Sequence, residues 1–431
     1  MLSKYVVFAP YGVDKHIIFN VLSQGIALID ADLYHRLNAS FSQELNLDRE
    51  EIDNLRNFGV WVKSDAEDEA RARYFFHKTR YSSRTAYITL VTTYACNLAC
   101  GYCMQRYSSH SPNGTGLSRE DKSAVFSWIR SYIRENRISD VSLGIIGGEP
   151  LLSFGVAEDI IGVLFDSGAA LSTQVVTNGT LVSEEVIHSF KENNIDIIQI
   201  TLDGPKDVHD KVRVYDGMGT FDLLKSTVSR LTNNGLHVSI RINYPKGRID
   251  HAVQCVNELS DLTNKNLVSI YCFEVFDPQE YSMCKPMLSH ESIAMHKQLL
   301  YAIIDAGFQC PYPMEALLCK ASFDHSYVIT PENDLYKCYC HIGSEEHRVG
   351  YIDSNGINID DHTPMEMTIA GECVGCKFFP VCNGNYGCPS SLLRDKTACM
   401  DAKSQCAFFT SYELAITELL PIFIASQNQS G

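Results

Sequence analysis

Residues 85–103 read TAYITLVTTYACNLACGYC, and the fold turns on this stretch. Thr85–Thr93 is apolar and β-branched with no Gly or Pro, which predicts a strand. Cys96, Cys100 and Cys103 follow directly, with Tyr102 before the last of them. Closely spaced thiols on the loop that leaves a strand point to a metal cluster rather than to packing. A structural zinc site would need a fourth ligand close by. None follows within the loop, and the nearest candidate, His110, lies in a Ser/Pro/Gly-rich stretch.

Outward from this strand the pattern repeats. Val141–Ile146, Thr173–Thr177, Asp196–Leu202, Leu236–Asn243 and Val268–Phe276 are further strand-like runs. Helical stretches lie between them at Arg119–Glu135, Val182–Asn193 and Phe221–Asn234, the first opened by Ser118 as a cap with Asp121 three residues on. These alternations predict an α/β fold, a parallel sheet curled into a partial (β/α)6 barrel over 85–309. In such barrels the chemistry gathers at the C-terminal ends of the strands. The motifs fall there: Gly147-Gly148-Glu149-Pro150 after the second strand, Thr177-Asn178-Gly179 after the third, Thr201-Leu202-Asp203-Gly204-Pro205 after the fourth. Asp203 and Asp210 read as turn caps. Cys255, Cys272 and Cys284 read as small core residues.

Residues 1–84 form a separate region. Tyr5–Phe8, His16–Leu22 and Ile26–Ile29 read as strands. Asp48 and Glu51 predict a capping box opening a helix to Phe58, Gly59 stops it, and Val60-Trp61-Val62 returns as a strand. A second helix runs from Asp65 to Thr79. This order suits a small winged-helix-like domain. Residues 310–408 hold ten of the chain's sixteen cysteines and little periodicity, so metal is expected to hold a loop-rich domain together. Residues 409–431 read as a C-terminal helix and a polar tail.

Net charge is −16, from 36 Lys+Arg against 52 Asp+Glu, which disfavours a nucleic-acid partner. Asp14 and Lys15 interrupt the N-terminal apolar run too early for a signal peptide, and Leu414–Ala425 is too short to span a bilayer. A cytoplasmic chain without membrane contact is expected. In that reducing setting clustered cysteines hold metal more often than disulfides.

The Cys96-x3-Cys100-x2-Cys103 loop, with Tyr102 before its last Cys and the glycine run after the next strand, resembles the radical S-adenosylmethionine superfamily. The resemblance implies a 4Fe–4S cluster on Cys96, Cys100 and Cys103, whose open iron chelates S-adenosylmethionine for reductive cleavage. It implies cofactor contacts from Tyr102, Gly147, Gly148, Glu149 and Thr201, with Arg213 pairing the cofactor's carboxylate. His209-Asp210-x2-Arg213 and Gly217-x-Gly219-Thr220-Phe221 resemble the subgroup that modifies peptides and proteins.

The later cysteines resemble the SPASM auxiliary-cluster domain. That implies two more 4Fe–4S clusters, one on Cys310, Cys319, Cys338 and Cys388, the other on Cys373, Cys376, Cys382 and Cys399, with Cys406 the alternative to Cys399. Two departures stand out: Asn333 replaces the Gly before Cys338, and five residues rather than three separate Cys382 from Cys388. Cys340 has no assigned role, and no residue is identified as a catalytic base. The resemblance implies a maturase that crosslinks a ribosomally made precursor peptide, fed electrons by flavodoxin or ferredoxin and bound through the N-terminal domain, where the peptide would add to the strand that holds Ile17 and Phe19. The alternatives are a sulfatase-maturating enzyme, a small-molecule radical dehydrogenase and a non-catalytic Fe–S scaffold. Sulfatase maturases place an Asp after the Cys that matches Cys338, and here Tyr339 stands there.

Overall fold

The computed structural model describes residues 1–38, 47–81, 84–103, 119–275, 288–314, 319–359, 373, 375–382 and 407–429. Ser118, Cys284, Cys388, Cys399 and Cys406 lie outside the described residues.

The N-terminal region is a three-stranded antiparallel sheet in the order β1 (Val6–Tyr11), β2 (Lys15–Asn20), β3 (Gly25–Asp30). Three helices follow: α1 (Ala31–Asn38), α2 (Arg49–Asn57) and α3 (Asp65–Arg80). The Asp48 carboxylate accepts from the Glu51 amide at 2.8 Å and the Glu51 carboxylate from the Asp48 amide at 3.0 Å, a complete capping box. Val60–Val62 does not form a strand; a single antiparallel bridge joins Leu2 to Trp61. Nor is β2 free to pair, because it is the central strand, bonded to β1 on one side and β3 on the other. Among the described residues β3 pairs with β2 alone.

Both faces of this sheet are covered, because its apolar residues occupy both phases of the pleat. Ile18 and Ile29 pack with Leu37, Leu55 and Val60 of the adjoining helical region. Tyr5, Val7, Ile17 and Phe19 pack instead on Phe378, Phe379, Tyr412 and Ile416 from the far end of the chain. That far end is a continuous helix, Ala407–Leu414, then a wide turn Ala415–Leu419, then Leu420–Gln429. Pro421, which has no N–H and would crowd the carbonyl four residues earlier, accounts for the widened turn.

The large sheet begins with β4 (Thr85–Val91), β5 (Asp140–Ile146), β6 (Ala170–Thr177) and β7 (Ile197–Leu202). After α7 (Lys206–Val212) a short hairpin, β8 (Val214–Tyr215) and β9 (Met218–Gly219), leads to α8 (Phe221–Asn233). Two more strands, β10 (Val238–Pro245) and β11 (Val268–Val275), complete six parallel strands. Alternation decides their faces. Ile198, Ile200 and Leu202 of β7, and Val238, Ile240 and Ile242 of β10, are buried in one apolar core. The residues between them, Gln199, Thr201, Arg241 and Asn243, therefore turn to the barrel interior. Cys255 is fully buried in this core and Cys272 packs against it.

The sheet does not stop at six strands. Its order is β11-β10-β7-β6-β5-β4-β12-β13-β14-β15, where β12 (Ser326–Ile329) adds parallel to β4. β13 (Asp334–Tyr336), β14 (Arg348–Asp353) and β15 (Gly356–Ile359) continue antiparallel. Hydrogen bonding is thus continuous from the barrel into the cysteine-rich segment, where three of the four strands have only three or four residues. Asn333 has φ +66° in the tight β12–β13 turn, which is how it stands in for glycine there. Among the described residues no helix is long and apolar enough to cross a membrane.

Candidate functional site

The loop after β4 carries the three thiols. Cys96 is exposed, while Cys100 and Cys103 are half-buried. The Leu98 amide donates to Cys96 Sγ at 3.4 Å, and Asn178 Nδ2 reaches the same sulfur at 3.8 Å. Such donors favour a thiolate over a thiol. Burial pushes the Cys100 thiol above its ordinary value, and the Arg213 charge offsets part of that push. Among the described residues no three His, Cys, Asp or Glu side chains close around one point.

A glycine edge packs under this loop. The Gly148 amide donates to Thr93 O and the Glu149 amide to Ala95 O, each at 2.8 Å. A Cβ on Gly148 would sit 2.3 Å from Ala95 O and 2.4 Å from Tyr94 O, so only glycine permits the approach. Glu149 is fully buried and turns inward. Its carboxylate accepts from Thr177 Oγ1 at 2.7 Å, the Asn178 amide at 2.7 Å and the Leu151 amide at 3.1 Å. Burial pushes it above the usual carboxylate range, and those bonds partly offset the push. Glu149 thereby ties the β5 and β6 ends together. Asn178 extends the tie, since Nδ2 also donates to Asn97 Oδ1 at 2.7 Å on the thiol loop.

The fourth and fifth barrel strands close the site from the other side. Arg213 Nε donates to Asp203 Oδ2 at 2.6 Å, and its Nη2 donates to the Tyr102 hydroxyl at 2.7 Å. That hydroxyl donates to Asp203 Oδ1 at 2.6 Å. Asn243 Nδ2 completes the network, 3.0 Å from Asp203 Oδ1 and 3.1 Å from the Tyr102 hydroxyl. The turn-cap reading of Asp203 is therefore corrected: its carboxylate is the hub of a buried ion pair, with side chains 6% and 10% exposed. Asp210 does cap, accepting from the Phe221 amide at 2.8 Å where α8 starts. His209 is fully buried, and its Nδ1 accepts from the Asp203 amide at 3.1 Å. Its Nε2–H is then the donor to Thr220 Oγ1, 2.9 Å away, which passes its own proton to Arg213 O. Burial pushes His209 down to about 4, so the ring is neutral at pH 7.

Removing Asp203 alone would strand the Arg213 charge in this interior. Asp203→Ala is expected to lose ~3–5 kcal/mol of unfolding free energy. The Asp203→Ala, Arg213→Met double variant should lose less, because no charge is left unpaired. Urea midpoints of the three chains check both, and equal midpoints for parent and Asp203→Ala would refute the buried pair.

Of the residues expected to meet a cofactor, Tyr102, Gly148, Glu149 and Arg213 meet around the thiol loop in the contacts above, and a Cβ on Gly147 would sit 2.7 Å from Thr93 O beside it. Thr201, 8% exposed, lies on the interior face of β7 beside Arg241. Asn243 and Arg241 were missed by sequence reading; their only signal is a polar residue at alternate positions of a strand otherwise rich in Ile and Val. In the cysteine-rich region, Cys310 is buried with Leu300, Leu419 and Ile422. Cys373, Cys376 and Cys382 pack beside Phe378 and Phe379, with the Cys376 amide bonded to Cys373 O at 2.9 Å. Cys338 and Cys340 flank Tyr339 at the start of a single helical turn.

Comparison with known proteins adds to this geometry. The profile of the Radical SAM superfamily matches residues 90–258, which span the thiol loop, the glycine edge and the Asp203–Arg213 pair. The chain carries a radical SAM domain. A serine-type anaerobic sulfatase-maturating enzyme from Klebsiella aerogenes is 22% identical over 331 residues, covering 69% of this chain and 78% of the relative. The mycofactocin maturase MftC from Mycolicibacterium smegmatis is 30% identical over 151 residues, about a third of each chain. The solved structure of anSMEcpe with bound AdoMet and the Cp18Cys peptide superposes with a TM-score of 0.57 at 18% identity, over 80% of this chain and all of that one. SuiB of Streptococcus suis, bound to precursor peptide SuiA, gives 0.52 at 14% identity, over 92% and 97%.

Radical SAM domains bind S-adenosylmethionine and a 4Fe–4S cluster, and the residues present fit both groups. Three thiols on one loop, Cys96 beside two N–H donors and Cys100 under the influence of the Arg213 charge, suit a cluster. The Gly147-Gly148 backbone, held bare of side chains, suits the close approach of a cofactor.

Proposed function

We propose that this chain is a radical S-adenosylmethionine maturase acting on a ribosomally made precursor peptide and forming an intramolecular crosslink. The observation that carries the radical half is the closure of the Cys96–Cys103 loop onto the Gly147–Glu149 edge. A 4Fe–4S cluster held by Cys96, Cys100 and Cys103 would supply the electron for reductive cleavage of S-adenosylmethionine, and with it the power to abstract hydrogen from the substrate. The chain's own residues hold the loop. Glu149 and Asn178 brace it from the ends of the second and third barrel strands, and Asp203, Arg213 and Asn243 brace it through Tyr102. The neutral His209 keeps the Arg213 backbone in place through Thr220.

Two auxiliary clusters are part of the proposal, on Cys310, Cys319, Cys338 and Cys388, and on Cys373, Cys376, Cys382 and Cys399 or Cys406. Flavodoxin or ferredoxin would supply electrons. Anaerobically reconstituted protein is expected to hold about twelve irons, four per cluster. Coexpression with a precursor peptide encoded by a small open reading frame sought beside the gene should give a precursor lighter by a hydrogen pair. An unchanged precursor mass, with 5′-deoxyadenosine still released, would refute the crosslinking half.

The peptide half is supported by the relatives named above and by β3, whose outer edge is open among the described residues and can accept an added strand. Leu28 on β3 is 43% exposed. Leu28→Glu is expected to weaken precursor binding about tenfold by charging an apolar contact, with iron content and far-UV CD those of the parent. Titration calorimetry with the precursor checks it, and equal affinity would remove β3 from recognition. Truncation near Tyr81 is the poorer test, since it would uncover Phe378, Phe379, Tyr412 and Ile416.

Sulfatase maturation is the second reading, favoured by the relatives' names. Tyr339 speaks against it. The residue as a whole is 46% exposed, but desolvation of its hydroxyl end pushes it above the ordinary tyrosine range, as do the neighbouring Cys340 and Cys338. It is a poor substitute for a carboxylate base at neutral pH.

A further inference from the structure

Arg241 stands on β10 directly between Thr201 of β7 and Tyr271 of β11. Its chain neighbours Ile240 and Ile242 are fully buried toward the helices, so the pleat turns Arg241 into the barrel. Two contacts set the guanidinium. Its Nε donates to Asn243 Oδ1 at 2.8 Å, and the cation lies 4.3 Å from the centre of the Phe273 ring. Asn243 in turn donates to the Tyr102 hydroxyl, so the pose of Arg241 is linked to the thiol loop.

The outer nitrogens of Arg241, Nη1 and Nη2, have no hydrogen-bond acceptor among the described residues, and no carboxylate pairs with them there. The polar groups nearby are committed elsewhere or neutral. Tyr271 donates its hydroxyl to Gln199 Oε1 at 2.8 Å, and Gln174 Nε2 reaches the same oxygen at 3.3 Å. Tyr339 is close enough that the Arg241 charge acts on its phenol. Asp203, the buried acid that shares Asn243 with Arg241, is already paired with Arg213. A guanidinium fixed at Nε and over a ring, with its far edge open, is pre-organised to grip a carboxylate bidentately. Inside a barrel, where water is scarce, such a pair is stronger than at the surface.

Building on the peptide-substrate reading, we propose that Arg241 is a specificity-determining residue that binds a carboxylate of the substrate inside the barrel. An Asp or Glu side chain and a free C-terminus offer the same chemistry.

The test uses the fully iron-loaded chain with S-adenosylmethionine, titrated calorimetrically with three synthetic peptides. These are acetyl-Gly-Gly-Glu-Gly-Gly amide, its Gln counterpart, and the all-Gly pentapeptide as free acid. The Glu amide or the free acid is expected to bind about tenfold tighter than the Gln amide, as a charge-assisted pair over a neutral one. Which of the two does so names the source of the carboxylate. Arg241→Gln should abolish the preference, while Arg241→Lys, which keeps the charge without the fork, should retain part of it. Both variants should keep the parent's iron content and S-adenosylmethionine affinity. Binding without regard to charge, or a preference that survives Arg241→Gln, would overturn the proposal. So would weakened S-adenosylmethionine binding in Arg241→Lys, which would assign the residue to the cofactor instead. If no peptide binds in any arm the proposal falls as well, and an unmodified precursor in coexpression then decides whether the peptide reading falls with it.

Discussion

Replacing Cys96, Cys100 and Cys103 together with alanine is expected to bring 5′-deoxyadenosine release down to the level seen without enzyme. The loop offers no other thiol, so the open-iron cluster that the radical SAM domain needs would have nothing to hold it. The scaffold should survive. These residues lie on the loop beyond β4, while the barrel is held by Ile88, Leu90, Leu143, Ile198 and Ile240, none of which they support. Bound iron should therefore fall by about four per chain, one cluster's worth, with far-UV CD unchanged. Anaerobic chromatography of the nucleoside, with dithionite as electron source, makes the measurement. Release above background would mean that the proposed cluster site is elsewhere.

Gly148→Ala should do comparable damage by a purely steric route. The added Cβ would meet Ala95 O at 2.3 Å and Tyr94 O at 2.4 Å. Both obstacles are backbone atoms, so no rotamer change relieves them. The edge must move away from the loop, breaking the Gly148–Thr93 and Glu149–Ala95 hydrogen bonds. Overpacking costs ~1–3 kcal/mol and each lost bond ~0.5–1.5 kcal/mol, so a total of about 2–6 kcal/mol is expected in urea unfolding. S-adenosylmethionine cleavage should fall more than the fold suffers, because the displaced edge is also the proposed cofactor contact. Gly144→Ala is the control, since its Cβ would find only Thr89 Oγ1 at 3.7 Å and Ile88 O at 4.0 Å. If both variants unfold at the same urea concentration as the parent, the close approach at Gly148 is not real.

The sequence by itself determined what contiguous residues encode. Thr85–Thr93 followed by three spaced cysteines announces a strand and a cluster loop. The five later apolar runs announce the parallel sheet, and Asp48 with Glu51 announces a helix start. Each is a local signal, written in a pleat, a helical period or a cap, and needs no partner far along the chain. Residues whose role depends on a distant partner were misread or missed. Asp203 looks like a turn residue until Arg213, Tyr102 and Asn243 converge on it, the last two from 101 and 40 residues away. Arg241 looks like an accident in an Ile-rich strand until the curl of the sheet puts it beside Thr201 and Tyr271. β2 reads as an available strand, yet β1 and β3 occupy both its edges. The run from β12 to β15 reads as loop because β12, β13 and β15, at four, three and four residues, carry no period, and only pairing onto β4 makes the run part of the sheet. Side-chain alternation tells which residues share a face. Which faces meet is set by the twist and closure of the sheet, and that is a property of the tertiary structure alone.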